Sequence, residues 1–64
     1  EVRQAFDRAL LELSDEHRTA LVLREVEGMS YEEIARVMKV RMGTVMSRLY
    51  YARKTLQQSM GKFL

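Results

Sequence analysis

The stretch Arg41 to Gln58, RMGTVMSRLYYARKTLQQ, decides how this chain is read. At about 100° per residue, Val45, Leu49, Ala52 and Leu56 fall on one narrow stripe, the spacing of a helix side that faces a core. Opposite that stripe sit Gly43, Ser47, Tyr50 and Lys54, with Met46 and Arg53 on one shoulder and Thr44, Arg48 and Tyr51 on the other. No acidic residue interrupts this outer surface. Such a helix buries one side and turns a basic, aromatic side outward, where it suits a polyanionic partner.

Immediately upstream, Ser30-Tyr31-Glu32-Glu33 fits a capping box: Ser30 bonds forward to the amide of Glu33 while the Glu33 carboxylate reaches back, and Met29 can staple onto Ile34. The helix that starts here carries Ile34, Ala35, Val37 and Met38, and must stop near Lys39 because a second helical pattern begins within a few residues on another face. Val40 is expected to plug the angle between the two, and the small Ala35 lets them cross closely. The turn Lys39 to Met42 lacks a polar cap residue. A short helix, a tight turn and a longer basic helix make the helix-turn-helix arrangement.

Further upstream, Val2, Ala5, Phe6, Ala9, Leu10 and Leu13 are spaced by three and four, one side of a first helix that runs to Leu13. Ser14 is placed to cap a second helix, with Asp15 and Glu16 at its positive end. That helix should run to about Glu27, with Gly28 ending it in the left-handed conformation glycine tolerates. The tail Ser59 to Leu64 is expected to fray or to pack Phe63 loosely. The fold expected is all-α, a small four-helix domain with a C-terminal helix-turn-helix and no wing.

Length and composition bound the function. A chain of 64 residues makes one domain at most, and below about 70 to 80 residues one core supplies only a few kcal/mol. The chain opens at Glu1 and is already amphipathic by Val2, so residues 1–64 read as one domain cut from a longer protein. With no cysteine there is neither a disulfide framework nor a thiolate metal site. The lone His17 lacks the ligand partners of a metal site and the base-and-nucleophile neighbours of a catalytic triad. No glycine-rich phosphate loop is present either, so neither a cofactor nor an enzymatic activity is expected. No apolar run approaches the roughly 20 residues that cross a bilayer, and nothing resembles a signal peptide, which makes the cytoplasm the expected location.

The net charge of +2 hides an asymmetry. From Glu1 to Glu33 four basic residues face all nine acidic ones, a balance of −5, whereas Ile34 to Leu64 carries seven basic residues and no acidic one. That split points to a polyanion partner for the second half and keeps the first half from competing for it.

The run Leu23-Arg24-Glu25-Val26-Glu27-Gly28-Met29-Ser30-Tyr31-Glu32-Glu33-Ile34-Ala35, followed by Gly43-Thr44-Val45, Ser47-Arg48-Leu49, Ala52-Arg53 and Leu56, resembles the fourth conserved region of bacterial sigma-70 family factors. Within them it looks like the extracytoplasmic-function branch. The resemblance covers roughly Leu10 to Leu56, and its two blocks at fixed separation are more specific than a bare helix-turn-helix. It implies a non-enzymatic domain that places its recognition helix in the major groove of the promoter's minus-thirty-five element.

Carried over by position, Arg24, Thr44, Arg48 and Arg53 match contacts to the DNA backbone, to which the basic Arg41 and Lys54 are added. Met46, Ser47, Tyr50 and Tyr51 match positions facing base edges. Basic side chains position the helix on phosphates, while hydroxyls and apolar atoms touch base edges and thymine methyls. Arg48 could equally pair with Glu32 or Glu33. Many relatives carry lysine or arginine where this chain has Met46, and often arginine where it has Tyr51. It lacks the guanine readers that fit those places, each worth about 1–3 kcal/mol of discrimination.

The resemblance also implies protein partners. The first two helices would form an apolar concavity for the beta-subunit flap of RNA polymerase, with an anti-sigma factor competing for overlapping surface. Phe6, Leu10, Leu21 and Val22 are the candidates, although core packing is the favoured reading of each. Two other readings compete. A response-regulator or quorum-sensor output domain would usually show histidine at the place of Arg48 and a further dimerising helix. A protein-interaction module of the same shape would bind DNA weakly or without salt dependence.

Overall fold

The structure, a computed structural model, describes residues 1–61. Four helices follow one another: α1 (Val2–Leu11), α2 (Asp15–Glu25), α3 (Tyr31–Met38) and α4 (Met42–Ser59), with no strand among the described residues. This is the all-α, helix-turn-helix fold expected from the spacing. Val45, Leu49 and Ala52 are fully buried and Leu56 half-buried, so the narrow stripe of α4 does face the core. There it meets Leu13, Ala20, Leu21, Ile34 and Ala35, and α4 packs against all three other helices. The longest helix is the spine on which the rest is assembled.

The linkers differ from the expected boundaries for physical reasons. α1 stops at Leu11, two residues before Leu13, because the amides of Glu12 and Leu13 turn back on Ala9 and Leu10 at 3.1 and 3.2 Å. Tightening the last turn into this i to i+3 pattern carries Leu13 into the core. Arg18 then adds a second bond to Leu10 O through Nε and serves Leu13 O through Nη2, both at 2.9 Å, while Nη1 reaches Asp15 at 3.1 Å. Ser14 caps α2 as expected, accepting from the His17 amide at 3.2 Å.

α2 ends at Glu25, two residues short of the expected Glu27, because the chain unwinds over Val26 and Glu27 before Gly28 turns it at φ +69°. The glycine is left-handed, as the sequence implied. At the start of α3 the capping box is complete: the Ser30 amide donates to Glu33 Oε1 at 2.8 Å, and the Glu33 amide donates to Ser30 Oγ at 3.1 Å. The bond from the Ser30 backbone, then that from its side chain, holds the Glu33 carboxyl below its ordinary pKa, with Arg36 helping.

α3 stops at Lys39 as expected, and the turn to α4 is closed by a backbone conformation the sequence did not announce. Lys39 adopts the left-handed conformation at φ 58°, ψ 47°. Its amide donates to Arg36 O at 3.3 Å and the Val40 amide to Ala35 O at 3.0 Å, the two reverse bonds of a Schellman ending. Val40 is half-buried against the core and Ala35 is buried, which lets α4 cross close to α3. At the far end Met60 is buried rather than frayed, and Ser59 Oγ donates to Glu12 Oε1 at 2.6 Å. Phe63, expected to pack loosely, lies outside the described residues.

Candidate nucleic-acid interface

With Val45, Leu49 and Ala52 turned inward, the helical period sends Met46, Ser47, Tyr50 and Tyr51 outward together. Met46 is 51%, Tyr50 59% and Tyr51 53% exposed, and Ser47 is exposed beside them. The rings of Tyr50 and Tyr51 meet edge to face at 5.0 Å, which restrains both before any partner arrives. The four residues expected to face base edges therefore form one continuous solvent-facing surface.

Two recesses flank that ridge, and no acidic side chain lines either. On one flank Tyr31, Arg53 and Lys54 border Met46 and Tyr50. Tyr31 organises this side: the Arg24 guanidinium lies 4.8 Å over its ring, and Arg24 Nη1 donates to Met29 O at 2.8 Å. Arg53 lines the same recess as Tyr31 and pairs with Glu25, whose Oε1 is 3.4 Å from Arg53 Nη2. The Tyr31 hydroxyl first, then the Glu25 charge, raise the pKa of the guanidinium, against some desolvation. One bond to Met29 leaves Arg24 four further N–H donors, so locking its position does not exhaust its capacity to bind an anion.

On the other flank Arg41, Gly43, Thr44 and Arg48 border Ser47 and Tyr51. Arg41 is the N-cap residue of α4 but makes no side-chain capping bond, and the first turn of α4 contains no carboxylate. A helix start without an anion of its own favours an external one. Arg48 forms no ion pair with Glu32 or Glu33, the alternative the sequence left open. The ion pairs among the described residues are Arg18 with Asp15 and Arg53 with Glu25. Arg48 lies instead between this basic recess and a neighbouring one that holds Asp15 and Glu16.

The residues expected to meet protein partners are not all on the surface. Leu21 is 2% exposed and belongs to the core cluster, because its position on α2 points directly at α4. It offers no side-chain surface to a partner in this structure. Leu10 and Val22 are half-buried, and Leu10 packs against the core. Phe6 is half-buried in a recess with Leu56 and Met60, with Arg53 and Gln57 at its edge. That recess joins α1 to the C-terminal end of α4, rather than α1 to α2 as the sequence reading supposed.

Two residues given no nucleic-acid role by the sequence line the recesses of this candidate surface. Tyr31 was legible only as part of a capping box, and His17 only as an isolated imidazole. His17 lies beside the N-terminal half of α4, its ring nearly parallel to that of Tyr51 at 6.4 Å between centroids. Nothing in their local sequence announces either contact, since both depend on how α2 and α3 cross α4.

Compared with known proteins, residues 3–56 match the family described as Sigma-70, region 4. The chain belongs to this family. Two curated relatives frame the region 4 domain. The RNA polymerase sigma-H factor of Pseudomonas aeruginosa is 41% identical over 64 residues, covering all of this chain and 33% of that protein. The ECF RNA polymerase sigma-E factor of Escherichia coli (strain K12) is 45% identical over 56 residues, covering 88% of this chain and 29% of its own length. This region 4 chain thus spans about a third of the length of the curated relatives it matches. No helix among its described residues is long and apolar enough to cross a membrane.

Proposed function

We propose that this chain is the promoter-recognition module of an extracytoplasmic-function sigma factor, which binds the minus-thirty-five element through α4 and docks on RNA polymerase to direct transcription initiation. The observation that carries this reading is the acid-free outer face of α4, an aromatic and hydroxyl ridge between two basic recesses. An α-helix fits the major groove, where phosphates of the two strands line either side. Met46, Ser47, Tyr50 and Tyr51 then meet base edges, while Arg24, Arg53 and Lys54 on one flank and Arg41, Thr44 and Arg48 on the other meet the backbone.

This division predicts affinity that is mostly electrostatic and specificity that is modest. Phosphate neutralisation releases counterions and makes binding salt-dependent. A ridge with no arginine or lysine at its base-reading positions gives few bidentate contacts, so the module binds weakly alone. Tethering through the rest of a longer sigma chain to the polymerase would raise its effective concentration and make weak contacts sufficient. In this reading the module acts in the cytoplasm, has no catalytic role, and needs neither cofactor nor metal.

A second surface supports the polymerase contact. The recess of Phe6, Leu56 and Met60 is mainly apolar and meets the Tyr31 flank only at Arg53 and Gln57, which suits either the beta flap or a competing anti-sigma factor. The primary test is an amide NMR titration with a duplex that carries an AAC-containing upstream element, beside a scrambled duplex at equal salt. Shifts concentrated on Thr44 to Lys54 and Arg24 that differ between duplexes are expected. If neither duplex moves α4, the protein-interaction reading centred on Phe6 replaces this one.

A further inference from the structure

His17 belongs to neither the base-reading nor the backbone set so far, yet the fold brings it to the same surface. It projects from the first turn of α2 into the recess bordered by Arg41, Thr44, Arg48 and Tyr51. Its position is defined at two points: its amide donates to Ser14 Oγ at 3.2 Å, and its ring lies at 17° to the Tyr51 ring, 6.4 Å away between centroids. His17 is half-buried and lines a recess that is open to solvent.

The charged and titratable groups around it are few. From α4 and its cap come Arg41, Arg48 and Tyr51, and no side chain of α1 or α3 lines the recess. From its own helix come Asp15, whose carboxylate is taken by Arg18 at 3.1 Å, and Glu16, which lines the adjoining recess with Arg48. Among the described residues no group of three potential metal ligands exists, so a metal does not account for the imidazole. A recess with two guanidiniums, a threonine hydroxyl and an imidazole, and without a carboxylate, is suited to a phosphodiester oxygen.

We propose that His17 contacts the DNA backbone on the Arg41 and Arg48 flank and makes this module's affinity for DNA rise as the surroundings become more acidic. The inference rests on the promoter-binding reading. Histidine changes charge between about pH 5 and 8, and a phosphate brought against the ring favours its protonated form. Linkage then requires that binding take up protons, so affinity grows as the pH falls. Proton uptake by one such side chain is worth about two- to sixfold in affinity between about pH 8 and about pH 6. Because phosphates carry no sequence information, the gain is the same on any duplex.

The test is fluorescence anisotropy of the 64-residue chain with promoter and scrambled duplexes, at fixed ionic strength from about pH 8 to about pH 6. The wild type, H17Q and H17K are compared, with helical circular dichroism checked for each. The wild type is expected to tighten about two- to sixfold on both duplexes alike, and H17Q to lose that dependence. H17K is expected to bind at least as tightly at the upper pH and to steepen the log–log salt slope by about 0.9. It decides the matter if H17Q proves unfolded. A wild type insensitive to pH, an H17Q that keeps the wild-type dependence, or a folded H17K with an unchanged salt slope overturns the role of His17 while leaving the promoter reading intact. Absence of binding to either duplex by folded wild-type protein at every pH instead overturns the promoter reading, and this inference with it.

Discussion

The two flanks of α4 carry similar charge but hold it differently. Around Tyr31 the guanidiniums have partners, Arg24 in Met29 O and the tyrosine ring and Arg53 in Glu25. Around His17 neither Arg41 nor Arg48 has an ion-pair partner among the described residues. A fixed cation loses less side-chain entropy when it meets a phosphate, whereas a free one supplies attraction but must be ordered on binding. Under the proposed function the first flank therefore contributes to the fold as well as to binding, and the second to binding alone.

The largest expected effect tests that asymmetry. Arg24→Ala removes the bond to Met29 O and the contact with Tyr31, and is expected to destabilise the domain by about 1–2 kcal/mol in thermal or urea unfolding. It should also weaken both duplexes about equally. Arg48→Ala should weaken DNA binding with an unfolding midpoint close to wild type. If the two variants lose equal stability, the distinction between flanks fails. If Arg24→Ala changes sequence preference, the division into positioning and reading residues is wrong.

Between the flanks, Tyr50→Ala should lower discrimination of promoter over scrambled duplex by about tenfold, near the low end of what one base contact supplies. Competition binding with the two duplexes measures it. A smaller effect separates phosphate contact from mere proximity: Arg48→Ala should shallow the log–log salt slope by about 0.9, one counterion's share. An unchanged slope would assign Arg48 to the neighbouring Asp15 and Glu16 instead.

The smallest effects concern the α3 scaffold between the flanks. Lys39→Gly relieves a left-handed non-glycine residue, a strain of about 1–2 kcal/mol, but adds freedom to the unfolded chain. A net gain of about 0.5 kcal/mol, seen as a raised melting temperature, is expected. Glu33→Gln tests the capping box through pH. The carboxyl's folded pKa lies below its unfolded value of about 4.3, so its contribution is complete above that value and is lost as the pH falls through the folded pKa. Acid unfolding of the wild type should show this loss below about pH 4.3, and the glutamine variant should lack it.

Much of this molecule was written in local pattern. The stripe Val45, Leu49, Ala52, Leu56 is a period, Ser30 and Glu33 are a spacing, and Gly28 is the residue that most easily takes a positive φ. Each can be read from one segment because its physical cause lies within that segment. The outward group of Met46, Ser47, Tyr50 and Tyr51 was legible for the same reason, since one helix places all four. Helix ends were less legible where distant groups intervened, as when the carbonyls at the close of α1 were taken up by Arg18 from the next helix.

What the sequence alone determined is thus the all-α class, the helix-turn-helix, the charge division and the exposed face of α4. The crossing of helices decided the rest. It buried Leu21, which periodicity could not separate from the half-buried Val22 beside it, because only the direction toward α4 distinguishes core from groove. It set Tyr31 between Arg24 and Arg53, residues 29 apart in the chain. It also brought His17 against Tyr51. Such contacts depend on the angle and depth at which packed side chains let two helices meet, a property of the whole core that no single segment contains.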